Sequence, residues 1–140
     1  MKKLILIILA VVVFISASSV LALEDNPRIK FIVYYFHGSF RCHTCTNMEK
    51  YSKEAVEANF KDALVLGKLE FKAVNVDERE NEHFVKDYKL YTKALIISLV
   101  KGNKEVKYKN LDKIWQLAGD RQRFVDYVGG QIREFMEGAQ

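Results

Sequence analysis

The stretch Phe31-Ile32-Val33-Tyr34-Tyr35-Phe36-His37-Gly38-Ser39-Phe40-Arg41-Cys42-His43-Thr44-Cys45 decides the fold. Phe31 to Phe36 is an unbroken run of apolar, aromatic and β-branched residues. That is the pattern of a strand buried on both faces. His37 to Arg41 reads as a short connector. From Cys42 onward the period changes. Met48, Tyr51, Ala55, Val56 and Phe60 recur at helical spacing, with Glu49, Lys50, Lys53 and Glu57 on the other side. A buried strand therefore runs into a helix, and Cys42 and Cys45 lie at the junction.

That position has a chemical consequence. A helix N-terminus carries unpaired N–H groups and the positive end of the helix dipole. Both favour a thiolate at Cys42, and cysteines so placed have pKa values lowered into the range of about 3.5–7.5. Cys45 lies one turn further along and is expected to be more buried. Cys42 is the expected nucleophile, and Cys45 the residue that resolves a mixed disulfide. A Cys-x-x-Cys near a βαβ pattern is a redox signature.

These are the only 2 cysteines of the chain. A pair two residues apart closes a tiny loop and restrains little of the unfolded chain, so it is a poor staple. The pair is left with redox or metal chemistry. A c-type haem needs His directly after the second cysteine, where Thr46 stands. A structural zinc site normally takes four ligands, and the adjacent Cys42 and His43 point in different directions on a helix. The pair is therefore expected to hold no metal as a resident group. A carrier site for Cu(I) or trivalent arsenic stays open as the alternative, because the two thiolates of Cys42 and Cys45 suffice for such ions.

The rest of the chain reads outward from this junction. Leu69 to Val76 is a second strand, and Asp77 to Glu80 turns the chain. Phe84, Val85 and Tyr88 suggest a short helix. Ala94 to Val100 is a third strand, Lys101-Gly102-Asn103-Lys104 a hairpin turn, and Glu105 to Lys109 a fourth strand at a sheet edge. Asn110 or Asp112 is expected to cap a short helix through Trp115 and Leu117, with Trp115 as a packing anchor. Asp120 caps a last helix with Phe124, Val128, Ile132 and Phe135 on one face. Strands alternating with helices and closing on a hairpin predict an α/β fold, a central mixed four-stranded sheet with helices on both faces.

The chain has 140 residues, enough for one domain. Lys2 and Lys3, the apolar run Leu4–Ile15 and the small residues before Ala22 have the grammar of a secretory signal peptide over residues 1–22. An uncleaved N-terminal anchor is the rival reading, since the 20 residues between Lys3 and Glu24 carry no charge. Either way residues 24–140 are expected outside the cytoplasm, exported, periplasmic or held at the membrane facing outward. Membrane contact is expected only if the segment is uncleaved. The net charge of +4 falls to +2 without that segment, and no basic run alternates with aromatics. Nucleic-acid binding is not expected.

Other polar residues near the pair have two readings each. His43 beside the thiolate would stabilise the reduced form, or it is a solvated residue of the motif. Arg41 adds positive potential, or is an ordinary surface arginine. His37 reads as a satisfied structural histidine and His83 as part of a solvated helix face. Tyr34, Tyr35 and Phe36 read as core.

With these residues in place, the chain resembles the thioredoxin superfamily from about Ile29 to Phe135. In that resemblance Phe71 to Asp77 is similar to the central strand that follows the active-site helix. A narrower resemblance rests on Tyr35-Phe36-His37-Gly38, Arg41-Cys42-His43-Thr44-Cys45, Asn47-Met48-Glu49, and Asn110 to Trp115 with Gly119-Asp120. These are similar to a group of small exported thioredoxin-like proteins described as the ArsF-type subunit of a nitrophenyl-compound nitroreductase, linked to organoarsenical detoxification. The resemblance implies a thiol–disulfide oxidoreductase, or the redox subunit of a larger reductase, with a redox-active disulfide at Cys42 and Cys45. It implies no cofactor. The implied partner is an envelope protein bearing a disulfide or dithiol, such as a membrane reductase.

The chain also departs from thioredoxins. They carry Trp before the first cysteine, and here it is Arg41. Their Gly-Pro interior is His43-Thr44 here. Their buried acid six residues before the first cysteine is Phe36. Their cis-proline facing the disulfide is replaced by Lys93, within the loop Thr92-Lys93-Ala94 that is expected to face substrate. In the family that proline keeps metals from the thiols, so its replacement favours the carrier alternative.

Overall fold

The computed structural model describes residues 28–139. The proposed targeting segment, residues 1–22, lies outside the described residues. The elements are β1 (Ile29–His37), α1 (His43–Asn59), α2 (Lys61–Val65), β2 (Leu69–Asn75), a 3-10 turn (Arg79–Asn81), α3 (His83–Asp87), β3 (Ala94–Lys101), β4 (Lys104–Asn110), α4 (Ile114–Leu117) and α5 (Arg121–Glu137).

The strands form one 4-stranded sheet in the order β2-β1-β3-β4. β1 pairs parallel with β2 and antiparallel with β3, and β3 pairs antiparallel with β4. The parallel pair needs a crossover, which α1 and α2 supply. The antiparallel pair β3–β4 needs only a tight turn, and Gly102 at φ 63° makes it. This mixed sheet with its βαβ and ββα halves is the thioredoxin-like arrangement implied by the sequence.

Strand alternation divides the sheet into two faces. Phe31, Val33 and Tyr35 on β1 and Leu95, Ile97 and Leu99 on β3 enter the larger core. There they meet Met48, Ala55 and Val56 of α1 and Phe124, Val128 and Ile132 of α5. The other face carries Phe36 and Ile96, covered by Tyr88, Phe84 and Leu90 from α3 and the loop after it. On this second face Ser98 is fully buried, and its hydroxyl donates to the Glu105 carboxylate. Tyr88 Oη donates to the same carboxylate oxygen at 2.5 Å.

Several expectations need correction. β2 was expected to be central, but among the described residues it is an edge strand, and its burial is correspondingly partial. The helix α2 is additional; it starts where Phe60 leaves helical geometry at φ −133° and ψ 34°. Neither Asn110 nor Asp112 caps α4: Lys113 holds the cap position, and no side chain caps it. Trp115 is 41% exposed and so is no core anchor; its indole Nε1–H donates to the Lys93 carbonyl at 3.1 Å. Asp120 does cap α5, accepting from the Arg123 N–H at 3.1 Å.

Candidate functional site

Cys42 is the N-cap residue of α1, with extended backbone at φ −86° and ψ 162°. Its sulfur stands where a serine or aspartate oxygen would in an ordinary cap, and accepts from the Cys45 N–H at 3.1 Å. The Cys42 carbonyl accepts from the Thr46 N–H at 3.0 Å and from Thr46 Oγ1 at 3.2 Å. The first turn of the helix is thus built on Cys42. Cys42 and Cys45 form a disulfide, with Cα atoms 5.0 Å apart.

The two sulfurs differ in access. Cys42 is half-buried, whereas Cys45 is 1% exposed. A partner disulfide can therefore reach Cys42, and Cys45 is shielded behind it.

Beneath the pair lies Tyr35, whose hydroxyl donates to the Cys45 carbonyl at 2.7 Å in a buried position. Burial pushes its phenol up to about 12; the Arg41 charge opposes this shift and the Glu49 charge adds to it. Arg41 and Glu49 form an ion pair beside the cysteine turn. His43 and Thr44 are exposed on the outer side of the turn, and His43 Nε2 pairs with Asn47 Nδ2 at 3.1 Å. His37, half-buried, pairs through Nδ1 with the Gly38 carbonyl at 3.0 Å. His83 is exposed and pairs with Asp87 at 2.8 Å, away from the pair on α3.

The connector before Cys42 is braced from β2. The Ser39 N–H donates to Asp77 Oδ2 at 2.6 Å, and Asn75 Nδ2 donates to Ser39 Oγ at 3.2 Å. A Cβ on Gly38 would lie 2.9 Å from that same Asp77 oxygen, so glycine lets the carboxylate close in. Asp77 thus fixes the loop that delivers Cys42 to the helix.

Ala94 pairs with Phe36 across β3 and β1, so the loop Thr92-Lys93-Ala94 emerges at the same end of the sheet as the cysteines. Thr92 is exposed, Lys93 half-buried and Ala94 buried. Two open cavities flank this loop. One of about 170 Å3 lies between it and Phe36, His37 and Val76. The other, about 130 Å3, lies between it and Leu111, Ile114 and Trp115. Neither is lined by a cysteine. Among the described residues, no group of three or more His, Cys, Asp or Glu side chains is placed to hold a metal ion.

Sequence reasoning missed three contributors. Tyr35 was read as core, which it is, but its hydroxyl also ties β1 to the cysteine turn. Glu49 was read as the outer side of the helix, and no helical spacing links it to its partner Arg41, which lies outside the helix. Asp77 was read as a turn residue, and no local pattern links it to Ser39, 38 residues away.

No protein-family model matches the chain, and no curated protein matches it. Among solved structures, it is similar to thioredoxin from Fasciola hepatica, with 24% identity and a TM-score of 0.38, covering 73% of this chain and 86% of that one. A Schistosoma mansoni thioredoxin pre-protein shares 18% identity at a TM-score of 0.39, covering 78% and 90%. A Thermus thermophilus thioredoxin shares 18% at 0.37, covering 72% and 77%. Overlaps this loose carry no argument by themselves. The strand order, the strand directions and the Cys-x-x-Cys where β1 gives way to α1 make the fold thioredoxin-like.

Proposed function

We propose that this protein exchanges electrons with a partner protein through reversible thiol–disulfide exchange at Cys42 and Cys45. One observation carries the reading: the disulfide caps a helix with one sulfur accessible and the other buried. Working as a reductant, the Cys42 thiolate attacks a partner disulfide, forms a mixed disulfide and expels one partner thiolate. Cys45, as thiolate, then attacks the Cys42 sulfur, closes the Cys42–Cys45 disulfide and expels the second partner thiolate. Two electrons pass to the partner, and the reverse sequence makes the protein an oxidant. The helix N-terminus supplies stabilisation for the Cys42 thiolate, and no cofactor enters the step.

The finer reading is a redox subunit of an envelope reductase of the ArsF type, resting on the Arg41 to Cys45 and Asn47-Met48-Glu49 resemblance. Its placement outside the cytoplasm rests on Lys2, Lys3 and the apolar run Leu4–Ile15. Among the described residues no helix is long and apolar enough to cross a membrane.

Trapping tests the exchange step. Cys45→Ser should accumulate a covalent, dithiothreitol-sensitive adduct through Cys42, and Cys42→Ser should not. A Cys45→Ser chain that forms no adduct, together with Cu(I) or As(III) binding that needs both cysteines, would make the protein a carrier instead.

A further inference from the structure

The Arg41 guanidinium hydrogen-bonds and ion-pairs the Glu49 carboxylate. Arg41 directly precedes Cys42, and Glu49 lies four residues beyond Cys45 on the same helix. The pair therefore reaches back along the first two turns of α1, the turns that carry both cysteines. Only 32% and 29% of the two side chains are exposed, so solvent and salt screen the pair less than an open surface contact. Both charges act on Tyr35, whose hydroxyl is bonded to the Cys45 carbonyl. The Cys42 sulfur meanwhile takes its hydrogen bond from the Cys45 N–H.

A disulfide sulfur is neutral and attracts a guanidinium weakly. Reduction changes this. When a dithiol such as dithiothreitol reduces the couple, the Cys42–Cys45 bond takes up two electrons and the reductant closes its own disulfide. The products on the chain are a Cys45 thiol and a Cys42 thiolate, with one proton released to solvent. The new thiolate is an anion next in sequence to Arg41, a cation that stays charged at all relevant pH.

We propose that Glu49 is a positioning residue for this couple, holding Arg41 in an ion pair and competing with the Cys42 thiolate for it. The clamp leaves the thiolate less stabilised than a free neighbouring arginine would. It therefore raises the Cys42 pKa and makes the couple less oxidising. The redox half of this inference rests on the exchange reading above; the ionisation half does not.

The test is a double-mutant cycle in the full chain with Glu49→Gln, Arg41→Gln and both. Two readouts are taken: Cys42 ionisation in the reduced chain by ultraviolet thiolate absorbance, and the equilibrium constant with glutathione. His37, His43, Asp77 and Lys93 also lie at this end of the sheet and are constant across the series. Glu49→Gln should shift both equilibria roughly threefold toward the thiolate and the reduced form. Arg41→Gln should shift both the opposite way. In the Arg41→Gln background, Glu49→Gln should have a clearly smaller effect. An equal effect in both backgrounds would mean that Glu49 acts through its own charge alone, and would overturn the clamp. A series that moves only the thermal midpoint, with both readouts unchanged, would also overturn it. Absence of any reversible disulfide would sink the exchange reading, while the ionisation series would still decide the clamp.

Discussion

The Tyr35 hydroxyl donates to the Cys45 carbonyl at 2.7 Å, from near the C-terminal end of β1 to the first turn of α1. A buried strand residue thus holds the turn that carries the resolving cysteine. Removing this hydroxyl in Tyr35→Phe should cost about 1 kcal/mol of stability at neutral pH. Chemical denaturation of the oxidised chain reads this directly. An unchanged denaturation midpoint would remove Tyr35 from the site.

Tyr35 also makes stability depend on alkaline pH. Its phenol is raised from 10.0 to about 12 in the folded protein, chiefly by burial. The protonated form is the one the fold prefers. Its contribution is therefore complete below pH 10 and is lost as pH rises from 10 towards 12. Tyr34, Tyr88 and Tyr127 are raised too, all first by burial, and act in the same direction. The denaturation midpoint should fall over this range, and Tyr35→Phe should fall less steeply than the parent chain. Parallel slopes would contradict the assignment.

Gly38 and Asp77 form a second brace. Gly38→Ala places a Cβ 2.9 Å from Asp77 Oδ2, the oxygen that accepts from the Ser39 N–H. The exposed carboxylate must move, and that hydrogen bond weakens. We expect a loss of about 1 kcal/mol. In an Asp77→Ala background the same substitution should cost little, because the clash is gone. Equal costs in the two backgrounds would show that Asp77 does not position the loop.

The polar knot on the second face is a stability feature separate from the redox site. Glu105→Ala strips the acceptor from both Tyr88 and the fully buried Ser98. An unsatisfied buried hydroxyl costs about 1–3 kcal/mol. Ser98→Ala added to Glu105→Ala should recover part of the loss. Denaturation midpoints of the two single variants and the double variant read the coupling; strict additivity would mean no shared bond.

The elements with strong periodicity were legible in the sequence. The run Phe31–Phe36 became β1, extended at both ends, and Ala94–Val100 became β3, extended at its end to Lys101. Phe124, Val128, Ile132 and Phe135 on α5 are all buried, as their spacing predicted. The cysteine junction was legible because period and composition both change there. What was hidden depends on tertiary neighbours. The five-residue helix Lys61–Val65 is too short to show a helical period, and its Ala63 and Leu64 are only partly buried against the core. The edge position of β2 is set by which strands pair with it, and its own residues say nothing of that. Trp115 is a large aromatic, but it lies at the surface, where its indole bonds the Lys93 carbonyl, a tertiary partner 22 residues away. The Arg41–Glu49 pair joins a loop residue to a helix residue, so neither segment alone reveals it.

The most direct test of the central claim is the reduction potential of the Cys42–Cys45 couple in the full chain, by equilibration with glutathione or dithiothreitol, with and without Cu(I) and As(III). The account predicts one reversible two-electron couple between about −120 and −270 mV, present without any metal. A chain that forms no stable intramolecular disulfide, yet binds one of these ions tightly through both thiolates, would contradict it.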